Sequence, residues 1–209
     1  MWGMRLSYFF PLLFVLITKK NHENQTLRKG IAIICILAVI TEIGGEVSTN
    51  LLGSGTPAVN LYEIAFTLTT LLIYWNLFKR PYEKRRLVWS ILLFFILGIS
   101  SLFYFGLFRT NIFTGIFGQL LLMLVSVSYL YRLFQEASVP DLKSYLPFWF
   151  SAGMLIYTAV TFFLILFESN LRNENGSIFS SLWQIQLYVS ILFNLILAKG
   201  IWETRLRSS

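Results

Sequence analysis

Seven long apolar runs, separated by short polar connectors, divide the chain. Each run approaches the length of about 20 residues with which an α-helix crosses the hydrocarbon core of a bilayer. The apolar residues follow one another without the alternation of a barrel strand, so the pattern predicts helices. We therefore expect an all-α polytopic membrane protein whose single domain covers residues 1–209. Its seven predicted transmembrane helices cover residues 1–18, 30–46, 60–78, 87–108, 111–134, 146–167 and 182–202.

The first apolar run is the weakest of the seven. It contains Pro11, and its N-terminal side carries a single basic residue, Arg5. Lys19 and Lys20 follow the run, and no pair of small residues spaced for signal-peptide cleavage precedes them. We therefore interpret the run as a retained helix, and the sequence leaves open whether it spans the membrane fully.

The composition agrees with a membrane protein and excludes other classes. Hydrophobic residues make up 56% of the chain and charged residues 13%, whereas soluble domains carry about 25% charged residues. One Cys and one His are too few for a disulfide scaffold or a zinc module. A soluble globular fold and a disordered chain are excluded by the same arithmetic.

Basic residues occur in alternate connectors and thereby predict the orientation. They follow the first, third, fifth and seventh predicted helices, with Arg5, Arg109 and Arg172 as the exceptions. Because connectors rich in Lys and Arg stay in the cytoplasm, we expect the N-terminus outside and the C-terminus in the cytoplasm. The net charge of +7 then indicates contact with anionic lipid headgroups or a protein partner, and no nucleic-acid partner is expected. The largest basic group comprises Lys79, Arg80, Lys84, Arg85 and Arg86.

Ionisable residues within the predicted helices mark candidate sites, because a charge in the hydrocarbon core is costly. Glu42 and Glu46 lie one turn apart on the second predicted helix, and Glu63 lies near the outer end of the third. With a rise of about 1.5 Å per residue, all three fall in the outer half of the membrane. Together with polar side chains at similar depth, they predict an acidic cavity that opens to the outside. The candidate ligand-binding residues are Glu42, Glu46, Glu63, Thr67, Gln119, Tyr157, Gln186 and Asn194.

A purely structural role is the alternative for these polar residues. Ser, Thr, Asn and Gln commonly form hydrogen bonds between membrane helices, and each bond contributes roughly 0.6–2 kcal/mol. Glu46 and Glu63 could also lie at the membrane interface and be solvated there. The sequence leaves these alternatives open.

Residues for metal or nucleophilic catalysis are missing from the predicted helices. The one histidine, His22, lies in a charged connector, which excludes paired haem ligands, zinc hydrolysis and a Ser–His or Cys–His relay. Lys199 invites comparison with a retinal Schiff base, but it lies beside the cytoplasmic interface, where lysines snorkel. We therefore expect no cofactor, no metal ion and no catalytic residue.

Short motifs spread over nearly the whole chain resemble a functionally uncharacterised family of small bacterial seven-helix membrane proteins. The resemblance implies seven helices and a location in the bacterial inner membrane. It implies no reaction, substrate or catalytic residue. The motifs are Thr41-Glu42, Asn60-Leu61-Tyr62-Glu63, Tyr131-Arg132-Leu133-Phe134, Pro147-Phe148-Trp149 with Ser151, Gly153 and Tyr157, and Gly200-Ile201-Trp202.

Three functions are compatible with an acidic cavity in a helix bundle. The leading hypothesis is a non-enzymatic protein that binds a small or lipidic ligand and acts as a sensor or accessory membrane component. The second is a transporter of a small or cationic solute. The third is an intramembrane hydrolase that modifies a lipid, with Glu42 and Glu63 as its acid and base.

Overall fold

The computed structural model describes residues 2–17, 25–136, 142–171 and 176–206, and the regular structure within these ranges is helical. It contains seven α-helices and one short 3₁₀ turn at Leu142–Ser144, and no strand occurs in the part described. The predicted all-α class is therefore confirmed. The helices are α1 (Trp2–Ile17), α2 (Gln25–Leu52), α3 (Thr56–Leu77), α4 (Pro81–Phe105), α5 (Ile112–Glu136), α6 (Leu146–Leu171) and α7 (Gly176–Leu206).

Helices α2 to α7 are long and apolar enough to cross a membrane, so the chain has the composition of an integral membrane protein. Helix α1 has 16 residues, which corresponds to a length of about 24 Å. That is shorter than a hydrocarbon core of about 30 Å. Six of the seven predicted helices are thus confirmed as long and apolar enough to span a membrane, and a full span by α1 stays a prediction.

The predicted orientation depends partly on basic residues that the structure does not describe. For some of them the whole residue lies outside the described part of the chain, and for others only the side chain does. The same is true of Met1 and Thr18, at the two ends of the first predicted helix, and of His22. The basic residues concerned are Arg5, Lys19, Lys20, Lys143, Arg172, Arg205 and Arg207.

Most of the helices extend beyond their apolar runs, and α4 shows how local chemistry fixes the ends. It begins at Pro81, whose missing N–H costs nothing in the first turn. There the Glu83 carboxylate accepts a hydrogen bond from the Arg80 backbone N–H. The predicted end at residue 108 is wrong. The chain leaves the helix after Phe105 because Gly106 has a φ of 79°, a left-handed conformation that favours glycine.

Six of the helices form a closed ring in the order α1, α2, α3, α5, α6, α7, with α7 returning to α1. Helix α4 packs on the outside of this ring, against α3 and α5. Successive helices are antiparallel. We call the end where α2 and α4 begin the lower end, and the end where they terminate the upper end.

Glycines allow the ring helices to approach closely, as small residues do in membrane bundles. A Cβ added at Gly200 on α7 would lie 2.6 Å from the Cβ of Trp149 on α6. One added at Gly118 on α5 would lie 2.9 Å from the Thr67 hydroxyl oxygen on α3. Side chains larger than hydrogen are therefore excluded at these two crossings unless the helices move apart.

The lower half of the ring is filled by side chains. Tyr74, Leu122, Phe150 and Met154 are completely buried there. The hydroxyl groups of Tyr74 and Ser126 share a 2.8 Å hydrogen bond, so the polar end of the Tyr74 side chain has its partner within the protein. The centre of the bundle is consequently closed toward the lower end.

Polar contacts join α4 and α1 to the rest of the bundle. At the lower end, the Arg132 guanidinium on α5 lies 2.5 Å from the Glu83 carboxylate on α4 and 3.0 Å from that of Glu136. The buried Arg28 guanidinium on α2 donates a 2.7 Å hydrogen bond to the carbonyl of Val15 on α1. These contacts help to hold the helices together, because apolar helix faces gain little free energy when they exchange lipid for one another.

Replacement of Gly200 by alanine is expected to destabilise the protein by about 1–3 kcal/mol, because the added methyl group overlaps Trp149. Gly45→Ala is the matched control, since a Cβ at Gly45 meets no atom within 4 Å. Alanine should stabilise that helix by up to about 1 kcal/mol. Thermal unfolding in a mild detergent measures both variants. Equal melting temperatures for the two would contradict the close α6–α7 contact.

Candidate functional site

A cavity of about 340 Å³ lies in the upper half of the ring. All six ring helices contribute to its wall, and none of the described lining residues belongs to α4. Its volume is within the range of roughly 300–1,000 Å³ that is typical of small-molecule sites. The ring therefore encloses a site-sized space above its packed lower half.

Two carboxylates are part of the cavity wall. Glu42 reaches it from α2 and Glu63 from α3, and both side chains are partly buried. The Glu63 carboxylate lies against α5, where a Cβ added at Gly115 would be 3.0 Å from its Oε2 atom. An alanine at residue 115 would require that carboxylate to shift by a few tenths of an ångström.

The cavity brings together five of the residues that the sequence analysis selected and leaves three outside. Glu42, Glu63, Gln119, Tyr157 and Gln186 line it. Their role in binding a ligand stays a prediction.

The three remaining candidates have other surroundings. Glu46 is exposed. It lies four residues after Glu42, so its side chain is about one turn higher and points about 40° away from that of Glu42. Thr67 is buried against α5 at Gly118. Asn194 lines a much smaller adjoining pocket and donates a 2.9 Å hydrogen bond to the Ser7 hydroxyl on α1. For Thr67 and Asn194 the structure shows helix-to-helix contacts.

Aromatic rings form one side of the cavity. Tyr62 stacks on Phe66 with ring centroids 5.5 Å apart, and Phe66 meets the edge of Tyr157 at 5.7 Å. Tyr8 of α1 completes this side. Among these rings, Tyr157 alone was predicted from the sequence to line a cavity. Tyr8, Tyr62 and Phe66 could not be recognised from the sequence around them, because aromatic residues are frequent throughout the chain. They come together only when the helices form the ring.

Asn60 and Asn111 are wall residues that the sequence analysis missed. The Asn60 amide donates hydrogen bonds of 2.9 Å to the carbonyls of Leu107 and Arg109, and its oxygen accepts the Asn111 N–H at 3.2 Å. Asn111 caps α5 by accepting the Thr114 N–H at 3.3 Å. A capping pattern could have indicated Asn111, whereas the partners of Asn60 are distant in sequence.

The amides on the wall differ in whether the protein satisfies them. Gln186 accepts a 3.2 Å hydrogen bond from the Thr161 hydroxyl and donates one of 3.4 Å to the Tyr157 hydroxyl. Gln119 is 5% exposed, and its Oε1 atom has no hydrogen-bond partner. A buried carbonyl without a donor costs about 1–3 kcal/mol, so Gln119 departs from the rule that buried polar groups are paired.

The predicted lipid or partner surface, the group Lys79, Arg80, Lys84, Arg85 and Arg86, lies at the lower end, far from the cavity. Arg80 is engaged in an ion pair of 2.9 Å with Glu136. The Lys84 ammonium lies 5.4 Å from the ring centroid of Trp75. Arg85 and Arg86 are exposed. Lys199 lies over the Trp149 ring, 5.0 Å from its centroid, near the lower end of α7.

Comparison of the chain with protein families, curated proteins and solved structures finds no match. The resemblance to a bacterial seven-helix family therefore stays a prediction. Among the described residues, no three His, Cys, Asp or Glu side chains lie close enough to hold a metal ion. The cavity must consequently be interpreted from its own chemistry.

Replacement of Asn60 by alanine is expected to loosen the segment between α4 and α5, because three hydrogen bonds to its backbone are lost. Amide hydrogen exchange of residues 106–111 should accelerate at least tenfold, and stability should fall by about 1–3 kcal/mol. Asn76→Ala is the control, since the Asn76 amide is exposed and bonds within its own helix to the carbonyl of Leu72. Unchanged exchange in Asn60→Ala would show that these bonds do not hold the segment.

Proposed function

We propose that the protein binds a small or lipidic ligand in the cavity and acts as a non-enzymatic sensor or accessory membrane component. The observation that carries this proposal is a cavity of about 340 Å³ whose wall combines the side chains of Glu42 and Glu63 with a group of aromatic rings. The polar side chains of this wall would contact the polar part of a small ligand. The aromatic side of the cavity would cover the apolar part of such a ligand.

We further propose that the upper end faces the outside of a bacterial inner membrane and the lower end the cytoplasm. The distribution of described basic residues supports this orientation. Arg109 lies at the upper end, whereas the lower end carries the others, which are Lys29, Lys79, Arg80, Lys84, Arg85, Arg86, Arg132 and Lys199, with Arg28 buried just above them. In this orientation the cavity lies on the outer side, and the basic group contacts anionic lipid headgroups or a partner in the cytoplasm.

Binding is favoured over transport by the packing below the cavity. Tyr74, Leu122, Phe150 and Met154 fill the lower half and are completely buried, so a solute would need a large rearrangement to pass them. A transporter and an intramembrane hydrolase stay as the alternative hypotheses.

Filling the cavity is expected to remove the ligand. Ala38 is buried on α2 and lines the cavity, so Ala38→Phe places a ring in that space. Ile40→Phe is the matched control, because Ile40 is exposed on the same helix and lies outside the cavity. We expect native mass spectrometry of the protein in nanodiscs to show a bound small molecule or lipid that Ile40→Phe retains and Ala38→Phe loses. Equal occupancy in a folded Ala38→Phe protein would exclude the cavity as the binding site.

The orientation predicts opposite labelling of the two ends by a membrane-impermeant maleimide. In a Cys35→Ser background, Arg109→Cys should react in intact spheroplasts, because the upper end faces outward. Arg85→Cys should react only after the membrane is permeabilised. Labelling of both positions from the same side, or the reverse pattern, would refute the proposed orientation. Both residues are exposed, so neither substitution disturbs packing.

A further inference from the structure

We propose that the outward face of α4 binds an anionic phospholipid, with Arg85 and Arg86 at the headgroup phosphate. The inference rests on the proposed function and deepens it, because it chooses one of the two partners named there for the basic lower end. We call this surface the α4 lipid face. It comprises Tyr82, Arg85, Arg86, Trp89, Leu93 and Ile96.

The six residues lie on one side of the helix. At about 100° per residue, they fall within roughly 100° of its circumference, and all six are exposed. The buried residues of α4 lie on the other side, where the helix packs on the outside of the ring against α3 and α5. These buried residues are Leu87, Phe94 and Gly98. The apolar part of the α4 lipid face is therefore turned toward the surrounding membrane.

The order of residues along this face matches the order of groups in one phospholipid leaflet. Arg85 and Arg86 lie in the first turns of α4, and the amphipathic ring of Trp89 follows one turn above them, as is typical at the level between headgroups and acyl chains. Ile96 lies about 15 Å above Arg86. That rise is about half of a hydrocarbon core of roughly 30 Å. The face thus offers contacts for a headgroup and for the acyl chain of the same lipid.

This order favours a lipid over a soluble acidic protein. Such a protein would reach the two arginines from below, but the membrane would separate it from Leu93 and Ile96. A lipid contacts both parts at once. The apolar residues of the face are therefore the observation that distinguishes the two partners.

The positive charge of the face is available to a headgroup. Among the described residues, no carboxylate forms an ion pair with Arg85 or Arg86. Glu83 and Glu136, the acidic residues at this end of α4 and α5, both form ion pairs with Arg132. A guanidinium group donates two parallel hydrogen bonds to a phosphate, so two adjacent arginines suit a phosphate well.

Tyr82 restricts one of these arginines before any lipid binds. The Arg86 guanidinium carbon lies 5.7 Å from the centroid of the Tyr82 ring, a distance at which ring and cation attract each other. Arg80 holds the same tyrosine through a 2.8 Å hydrogen bond to its hydroxyl. A side chain that is already restricted loses less conformational entropy on binding. The ring therefore favours binding at Arg86.

An anionic headgroup fits this charge better than a zwitterionic one. A zwitterionic headgroup brings an ammonium group close to its own phosphate, and two guanidinium groups repel that ammonium. An anionic headgroup carries no such cation, and basic clusters beside membrane helices are attracted to anionic lipids. We therefore expect the α4 lipid face to select lipids by headgroup charge.

Two lipids with identical acyl chains test this selection on the purified protein in detergent. Phosphatidylglycerol is anionic and phosphatidylcholine is zwitterionic, and native mass spectrometry measures the affinity of each. We expect phosphatidylglycerol to bind at least fivefold more tightly. Equal affinities would overturn the inference and leave the basic lower end to a soluble partner.

A double variant locates the headgroup contact. In Arg85→Gln/Arg86→Gln the preference for phosphatidylglycerol should fall below twofold. The matched control is Lys29→Gln/Lys199→Gln, which removes the same charge from exposed residues at the lower ends of two other helices. Its preference should stay within twofold of that of the unaltered protein. Equal loss in both proteins would show general attraction to positive charge and would refute the site.

A variant that retains every charge tests the apolar part of the face. Trp89→Ala should weaken phosphatidylglycerol at least threefold, because it removes an exposed ring one turn above the arginines. Phe103→Ala is the control, since Phe103 is exposed near the upper end of the same helix. Melting temperatures in detergent alone show whether each variant is folded. Unchanged affinity in a folded Trp89→Ala protein would contradict a lipid that lies along α4.

The inference and the proposed function fail in different ways. If Arg85→Gln/Arg86→Gln retains the lipid preference while Ala38→Phe still loses the molecule in the cavity, the α4 lipid face is refuted and cavity binding stands. If the double variant loses the preference while Ala38→Phe changes nothing, the α4 lipid face is supported and cavity binding is refuted. Lipid binding in detergent is independent of orientation, so the maleimide labelling tests the orientation separately.

Discussion

The close approach of helices at glycine residues is the constraint on which the rest of this structure depends. Apolar helix faces gain little by leaving lipid for one another, so a membrane bundle needs tight van der Waals contact to stay together. Gly200 against Trp149 and Gly118 against Thr67 provide such contact at two crossings of the ring. With these crossings fixed, the six helices enclose a space that side chains fill in the lower half and leave open in the upper half.

The buried polar side chains of the bundle differ in whether the protein satisfies their hydrogen bonds. In the hydrocarbon region a polar group must find its partner within the protein. Asn60 does so through the α4–α5 connection, and Asn194 does so through Ser7. Gln119 is buried among them and has an acceptor left over. Its oxygen is enclosed by protein, whereas other parts of the residue line the cavity.

Sequence patterns predicted the helices better than the site. Apolar runs located every helix, since burial in lipid requires them, but ends such as the one at Gly106 depend on single residues. Glu42 and Glu63 were placed on the cavity wall because carboxylates are costly elsewhere in a membrane. Glu46 is exposed outside the cavity, the solvated position that the sequence had left open, and its binding role stays a prediction. Tyr62 and Phe66 reach the wall through the ring of helices, which no local pattern specifies.

Helix α3 is the element that connects the cavity with the basic lower end. Its upper half carries Glu63 on the cavity wall, and its lower half carries Tyr74 in the packed core. The side chain of Ile73 fills the space beside Gly30 of α2 so closely that an added Cβ would lie 2.5 Å from it. Because α3 is packed this tightly against α2, and against α5 at Gly118, it cannot shift alone. A ligand that shifted α3 would therefore displace neighbouring helices as well, and the connector that follows α3 carries basic residues of the proposed partner surface.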